Sequence, residues 1–226
     1  MVNIGGTNNN ERRGFSFIVF VAIIGFSVAR AVATFFTNYL WFDSVNLYSV
    51  WIKVLLTKGA LVGATSLLAF IFIFTNLRLA VRATPVMDIF ESFESQDPLS
   101  RFRAWTNERF LRYRLWGTIG LSLFLGAGAS QLWEQVLLFL NQQSFGVVDP
   151  VFQADVSRYV FGLPLYRLFV SWGFQLVILT SLIIVLFFVA TGALQLRQGR
   201  LPEVSSGAKA HLSVLLAFIA ILKALA

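Results

Sequence analysis

The sequence places a few polar residues inside long apolar runs, where they could do chemistry. The candidate intramembrane polar residues are Arg30, Glu134, Gln175 and Lys223. Ionisable groups within membrane spans often mark substrate paths, proton relays or ion pairs. Arg30 and Glu134 lie toward the ends of their runs, where an ion pair between them is geometrically allowed. Lys223 could instead extend its amine toward the interface, as long basic side chains do.

A second candidate group lies in FQADVSRYVFGLPLYRLFVSW, residues 152–172. Asp155 and Arg158 have the i, i+3 spacing that brings side chains together on one face of a helical turn. They are outer-face candidates for a binding role, or they mark the point where the chain re-enters a membrane. Asp149 and Glu134 lie on the same side, but acid–base catalysis needs carboxylates that converge, and their spacing fixes no such geometry.

Several chemistries have no support in the sequence. There is no GxxxxGK[ST], GxGxxG, HExxH or GxSxG motif, so nucleotide binding, zinc proteolysis and serine hydrolysis are not indicated. The chain has no cysteine, and its one histidine, His211, cannot form a zinc site alone. We therefore predict no catalytic residue, no cofactor and no metal.

Long uncharged runs indicate the class of protein. Charged residues are 13% of the chain and apolar residues 57%, with a mean hydropathy of +0.74, whereas soluble domains have about 25% charged residues. About 20 mostly apolar residues suffice to cross a bilayer as a helix. We predict an all-α fold, a polytopic transmembrane helix bundle with short interfacial helices. The predicted spans are about 15–38, 57–77, 115–140, 165–194 and 210–226, the last one truncated.

The basic residues predict the orientation. Twelve of the 18 lysines and arginines lie in the N-terminal tail and the second and fourth loops, against four in the first and third. Cytoplasmic loops carry such an excess, so the net charge of +7 indicates topology and not a nucleic-acid partner. Five arginines of the second loop either set this topology or contact anionic lipid or a partner. They are Arg101, Arg103, Arg109, Arg112 and Arg114.

The segments between the spans have distinct patterns. Residues 41–55 carry an apolar stripe at helical spacing, which predicts an interfacial helix. Gly59 and Gly63 form a GxxxG pattern, a possible helix-packing seam. Pro164 is expected to begin the fourth span after Gly162 breaks a short turn. The predicted map adds a disordered cytoplasmic tail at 1–14, a cytoplasmic helical loop at 78–114 in which Asp97 and Pro98 begin a helix, and outer loops at 39–56 and 141–164.

The first span has an alternative interpretation. Arg12 and Arg13, the apolar run after them and Ala31-Val32-Ala33 could form a cleaved secretory signal. Apolar character resumes at Phe35, which favours a retained helix.

Three stretches in order resemble one known family. They are LWFDSV at 40–45, DPVF at 149–152 leading to Leu163-Pro164, and HLSVLL at 211–216 followed by LKA at 222–224. Over nearly all of residues 15–226 the chain resembles uncharacterised protein family 0182, large integral membrane proteins of bacteria such as actinobacteria and cyanobacteria. The resemblance implies several N-terminal spans followed by a large extracytoplasmic region, so we expect this chain to be an N-terminal fragment. It implies no biochemical activity.

Three functions remain open from the sequence. The first is a structural or assembly component that anchors a large extracytoplasmic region beyond residue 226. The second is a transporter or channel subunit, which would need polar groups near the midplane. The third is a membrane enzyme acting on lipid or cell-wall polymer. Scarce midplane polar groups favour the first. Expected partners are membrane lipids and other membrane proteins or further copies of the chain. The expected location is the bacterial inner membrane, with a cytoplasmic N-terminus, or the thylakoid membrane of a cyanobacterium.

Overall fold

The computed structural model describes residues 9–84, 98–195 and 203–226, with side chains for 15–84, 113–194 and 204–226. The described part is almost entirely helical, which confirms the all-α class. Its elements in chain order are α1 (Asn9–Ser44), α2 (Tyr48–Ala83), α3 (Pro98–Gly128), a 3₁₀ turn (Ala129–Leu132), α4 (Trp133–Leu140), a π-helical turn (Arg158–Gly162), α5 (Leu163–Thr191), the antiparallel strands β1 (Leu194–Gln195) and β2 (Glu203–Val204), and α6 (Ser206–Leu225).

Five helical segments in the described residues are long and apolar enough to cross a membrane. They are Phe15–Ser44, Tyr48–Ala83, Tyr113–Leu140, Arg158–Thr191 and Ser206–Leu225. The chain forms two compact units, Met1–Leu55 and Leu56–Ala226.

The first unit contains a helical hairpin where an interfacial helix was predicted. Helix α1 ends in a Schellman motif: the Asn46 amide donates to the Asp43 carbonyl at 3.0 Å and the Leu47 amide to the Phe42 carbonyl at 2.8 Å. Asn46 has φ of 58°, a left-handed conformation that asparagine tolerates at this position. The prediction of one interfacial helix over 41–55 is therefore wrong, because this turn divides its apolar stripe between α1 and α2.

Aromatic rings hold the two arms of this hairpin together. Trp51 contacts Phe35 at 5.1 Å and Tyr39 at 5.6 Å between ring centroids, and Tyr48 stacks on Trp51 at 5.9 Å. At its other end α1 already begins at Asn9, so residues 9–14 are helical, contrary to the predicted disordered tail. No glycine or proline interrupts residues 9–13, and residues 1–8 lie outside the described part.

The second unit has its core where α2, α5 and α6 meet. Fully or nearly fully buried apolar side chains form one cluster: Leu77, Ala80, Ile184, Phe187, Phe188, Ala193, Ala208 and Leu215. A second cluster, further along α2, joins Ala69 and Ile73 to Leu176 and receives Leu121 and Leu125 from α3. The core is thus continuous along one face of α2.

Helices α2 and α3 are in close contact at Gly126. A Cβ placed on Gly126 would lie 2.9 Å from the backbone nitrogen and Cβ of Ser66. Within the described residues, by contrast, a Cβ on Gly59 or Gly63 would meet nothing within 4 Å. The GxxxG pattern is therefore not a packing seam within this unit, because the contacting face of α2 is the one that carries Ser66.

Two predicted boundaries shift because helices extend further. Helix α3 begins at Pro98, as predicted, but continues without a break to Gly128, since no glycine or proline lies between Pro98 and Gly117. The glycine-rich end of α3 then gives way to the 3₁₀ turn and α4. Residues 85–97 of the predicted loop, including Asp97, lie outside the described residues.

The start of the fourth span also differs from the prediction. Gly162 is helical (φ −77°, ψ −47°), and the π-helical turn runs directly into α5, so residues 158–164 belong to a helix and not to the outer loop. Pro164 has no N–H to donate to the carbonyl four residues earlier. This is compatible with a change from π-helical to α-helical hydrogen bonding at this point. Helix α6 begins at Ser206, earlier than predicted, because the Ser205 hydroxyl accepts from the Ala208 amide at 3.3 Å as an N-cap.

Candidate functional site

Residues 141–157, between α4 and the π-helical turn, form a folded loop that we name the Asp155 loop. Val148 and Asp155 form an antiparallel bridge, and the Val156 amide donates to the Val147 carbonyl at 3.0 Å. The Phe145 ring lies 5.7 Å from the Phe161 ring, which attaches the loop to the π-helical turn.

The Asp155 carboxylate is the centre of this loop. Its Oδ2 accepts from the Ser144 hydroxyl at 2.5 Å and the Gly146 amide at 3.1 Å. Its Oδ1 accepts from the amides of Ser157 at 2.8 Å and Phe145 at 3.2 Å. The hydrogen bond from Ser144, followed by those from Ser157, holds the pKa of Asp155 far below its usual value. Asp155 is therefore ionised and fully engaged in folding the loop.

A second aspartate shapes the tip of the loop. Asp149 Oδ1 accepts from the amides of Val151 at 2.7 Å and Phe152 at 3.0 Å, an Asx-type turn. The amides of Phe152 and then Val151 lower the pKa of Asp149. Both acidic groups thus face backbone donors, an arrangement that organises a loop and leaves neither carboxylate poised for acid–base catalysis.

The Asp155 loop exposes several apolar side chains. Val151 and Phe152 are each 76% exposed, and Val147 and Val148 are 59% and 53% exposed. Polar side chains such as Gln142, Gln143 and Gln153 are exposed as well, so the surface of the loop is mixed.

Arg158 lies at the base of this loop and is exposed. In the described part of the chain, no ion pair joins it to Asp155, so the i, i+3 spacing does not produce the pairing that the sequence allowed. The two side chains instead line one cavity of about 440 Å³. A neighbouring cavity of about 380 Å³ is lined by Glu134, Asn141 and Phe161 among others.

A polar pair that the sequence analysis did not single out joins α2 to α6. The Asn76 amide donates to the Phe72 carbonyl at 2.8 Å, so its Oδ1 accepts from His211 Nε2 at 3.1 Å. The Phe188 ring packs edge-on against the imidazole at 5.9 Å. Nδ1 of His211 is buried without a hydrogen-bond partner among the described residues. The sequence gives little signal of this pair, because Asn76 and His211 are each one of several polar residues in their apolar runs, next to Thr75 and Ser213 among others.

The Asn76–His211 hydrogen bond is expected to be measurable as a coupling free energy. In a double-mutant cycle with Asn76→Ala and His211→Ala, the coupling should be about 1 kcal/mol, as for side-chain hydrogen bonds between membrane helices. Reversible SDS unfolding in mixed micelles measures it. Thr75→Ala, one residue away and exposed, is the control and should not couple to His211→Ala. Additive effects of the two single changes would contradict this hydrogen bond.

The four candidate intramembrane polar residues lie on four different helices. Gln175 on α5, Lys223 in the last turn of α6, Glu134 on α4 and Arg30 on α1 are all exposed. Arg30 belongs to the first unit and Glu134 to the second, and their ion pair stays a prediction.

Among the five candidate arginines, Arg114 has a described side chain. Its guanidinium carbon lies 5.7 Å from the centroid of the Phe74 ring, a cation–π contact between α3 and α2. Arg101, Arg103, Arg109 and Arg112 lie in α3, but their side chains are outside the described residues, and lipid or partner contact by this group stays a prediction.

Five helices that are long and apolar enough to cross a membrane indicate a multi-pass helical membrane protein. The chain belongs to the Uncharacterised protein family (UPF0182), whose family model matches residues 15–226. This confirms the family that the three sequence stretches indicated.

Curated relatives of the chain are bacterial UPF0182 proteins. One from Mycobacterium tuberculosis is 36% identical over 193 residues, one from Nocardia farcinica 32% over 191 and one from Rhodococcus erythropolis 30% over 191. Each alignment covers 84% of this chain but only 19% of the relative. The chain thus matches about a fifth of the length of these relatives. No solved structure matches it.

Proposed function

We propose that this chain is the membrane-anchoring and assembly part of a UPF0182 protein, which holds a large extracytoplasmic region at the cell membrane. The observation that supports this proposal most directly is the packing of the helices in the second unit. Its helices meet through apolar clusters and close contacts at small residues, such as Gly126 against Ser66 and Gly207 against Ala83. Such contacts make a stable helix bundle.

Three of the buried hydroxyl groups support the same proposal. Thr65, Thr118 and Thr180 each donate at 2.7 Å to the carbonyl four residues earlier in their own helix. A hydroxyl that donates to a carbonyl of its own helix has no free proton to donate to a substrate. These groups therefore favour a packed bundle over a polar path.

The relatives support the anchoring role by their length. About four fifths of each relative lies outside the alignment with this chain. Five spans with a cytoplasmic N-terminus lead to the extracytoplasmic side after Ala226, which is where the basic residues predict the following chain to lie.

Reporter fusions test the topology on which this proposal depends. Alkaline phosphatase should be active when fused after Asn46, Gln153 or Ala226, and green fluorescent protein should fluoresce when fused after Gln96. The reason is that each span reverses the side, and basic loops stay in the cytoplasm. Enzyme activity and whole-cell fluorescence in a bacterial host measure this.

The fusion after Ala226 also tests anchoring itself. Phosphatase joined there should remain with the membranes through a carbonate wash, whereas a matched secreted phosphatase without the chain should be released. Fluorescence of green fluorescent protein after Ala226, or release of the phosphatase by carbonate, would contradict the proposal.

A transporter or channel subunit is the second candidate function. The Asn76–His211 pair favours it, because an ionisable group inside a membrane bundle is a candidate for proton movement. A proton flux into vesicles containing the chain, abolished by His211→Ala but not by Thr75→Ala, would favour this candidate over the first.

A further inference from the structure

The base of the Asp155 loop presents one cation without a counterion. Arg158 is exposed, and no described residue forms an ion pair with it. The nearest carboxylate in sequence, Asp155, already accepts four hydrogen bonds from its own loop. The guanidinium group, with five N–H donors, is therefore available to an external anion.

The cavity beside Arg158 offers further polar groups. It has a volume of about 440 Å³ and contains the side-chain amide of Gln142, which has no hydrogen bond to a described residue. Ser144 and Ser157 add to its polar wall. The Asp155 carboxylate also lies in this wall and would repel an anion, but its four donors offset part of its charge. A cation and a free amide in one cavity recognise an oxyanion such as a phosphate group.

Arg158 also has an unusual backbone setting. It is the first residue of the π-helical turn, and its carbonyl accepts from the Leu163 amide, five residues on. Single π-helical turns are rare and are frequent at functional sites. The turn thus begins at a residue that lines the cavity.

The surroundings of the cavity indicate an amphipathic ligand. Phe139 of α4 lines the cavity. Exposed apolar side chains lie close in sequence to the lining residues: Leu140, at the end of α4, is 69% exposed, and Val160, in the π-helical turn, is 49% exposed. Arg158 is the first residue of the fourth apolar helix, and the ends of membrane-spanning helices lie at the level of lipid headgroups. A lipid can bring both a phosphate and an apolar chain to this place, which inorganic phosphate cannot.

We propose that this cavity is a binding site for the headgroup phosphate of an anionic phospholipid. The Arg158 guanidinium pairs with the phosphate oxygens, the Gln142 amide donates to a headgroup oxygen, and Phe139 contacts the apolar part of the lipid. The inference is independent of the anchoring role, because it needs only the placement of the loop at a membrane surface.

Native mass spectrometry of the purified chain in detergent tests this site. Phosphatidylglycerol is titrated against wild type and three variants, with phosphatidylcholine as the neutral comparison lipid. Arg158→Gln should weaken phosphatidylglycerol binding about tenfold, because one charge-assisted interaction is lost, and Arg158→Lys should weaken it less. Arg167→Gln is the matched control: it removes the same charge from an exposed position on α5 and should bind as wild type does. Thermal unfolding of each variant verifies that it is folded.

The source of the phosphate is distinguished by competition with glycerol 3-phosphate and inorganic phosphate. Neither should displace the lipid at equal concentration, because they lack the apolar part. Displacement by either would overturn the assignment to lipid. Unchanged phosphatidylglycerol binding in folded Arg158→Gln, or an equal loss in Arg167→Gln, would overturn the site.

Discussion

Replacing Gly126 with alanine is expected to lower the free energy of unfolding of the second unit by about 2 kcal/mol, the usual size of an overpacking effect. The added Cβ would lie 2.9 Å from the backbone nitrogen of Ser66. A backbone atom in the middle of α2 cannot rotate away as a side chain could. The two helices would have to separate, which would loosen the contacts of Leu121 and Leu125 with the core.

Gly120→Ala is the matched control for this change. Gly120 lies in the same helix, but a Cβ there would meet no described atom within 4 Å. Alanine at an open helical position is more favourable than glycine by about 0.5–1 kcal/mol. The two substitutions should therefore have opposite signs in reversible SDS unfolding. Two effects of the same sign would contradict the close approach at Gly126.

A second substitution can test whether Ser66 is the obstacle. In the Gly126→Ala background, Ser66→Gly removes the Oγ and Cβ atoms of Ser66 and leaves the 2.9 Å approach to its nitrogen. We expect a partial recovery of stability. No recovery would indicate that the backbone contact alone determines the cost.

Asp155→Asn is expected to disorder the Asp155 loop while leaving the helices folded. Both carboxylate oxygens accept two hydrogen bonds each, and an asparagine has one acceptor oxygen and an NH₂ group. Two of the four hydrogen bonds would be lost, and the NH₂ group would face other donors. Hydrogen–deuterium exchange of the Phe145, Gly146 and Ser157 amides should become at least about tenfold faster, since local opening costs less once these bonds are gone.

Asp149→Asn provides the comparison within the same loop. Only one of its oxygens accepts from Val151 and Phe152, and the amide oxygen of asparagine can do the same. Exchange of these amides should change little. Equal disorder in the two variants would mean that charge, and not the number of acceptors, holds the loop together.

The pH dependence of this loop follows from the lowered pKa of Asp155. A carboxyl group whose pKa is depressed in the folded state stabilises that state above its ordinary pKa, and the stabilisation is lost as the pH falls through the folded-state pKa. At about pH 4, where an ordinary aspartate is half protonated, the wild-type loop should still be protected from exchange. Loss of protection already at pH 5 would contradict the assigned hydrogen bonds.

Several local features of the fold could be predicted from the sequence because they depend on neighbouring residues. The apolar runs required membrane-spanning helices, and Pro98 had the residue type of a first helical position. Asn46 is a suitable residue for the end of a helix, and Ser205 for the start of one. The turn at Asn46 and the N-cap at Ser205 set the helix boundaries near residues 41–55 and 206–209, which differ from the predicted ones.

The candidate site was less accessible to sequence reasoning because its contacts are not local. Asp155 and Arg158 were identified as a possible pair from their spacing, yet Asp155 takes a partner 11 residues earlier, Ser144. His211 and Asn76 are separated by 135 residues, so no helical periodicity could connect them.

The sequence by itself determined the class of the protein, its five apolar helices and its family, because hydropathy and short motifs are properties of contiguous residues. Only the tertiary structure decided which small residue meets a neighbouring helix, Gly126 and not Gly59 or Gly63, and which polar groups pair across helices. The physical reason is that close packing depends on the rotation and crossing of helices relative to one another. In a chain with 16 glycines and many apolar faces, several arrangements satisfy the same local pattern, and packing selects one of them.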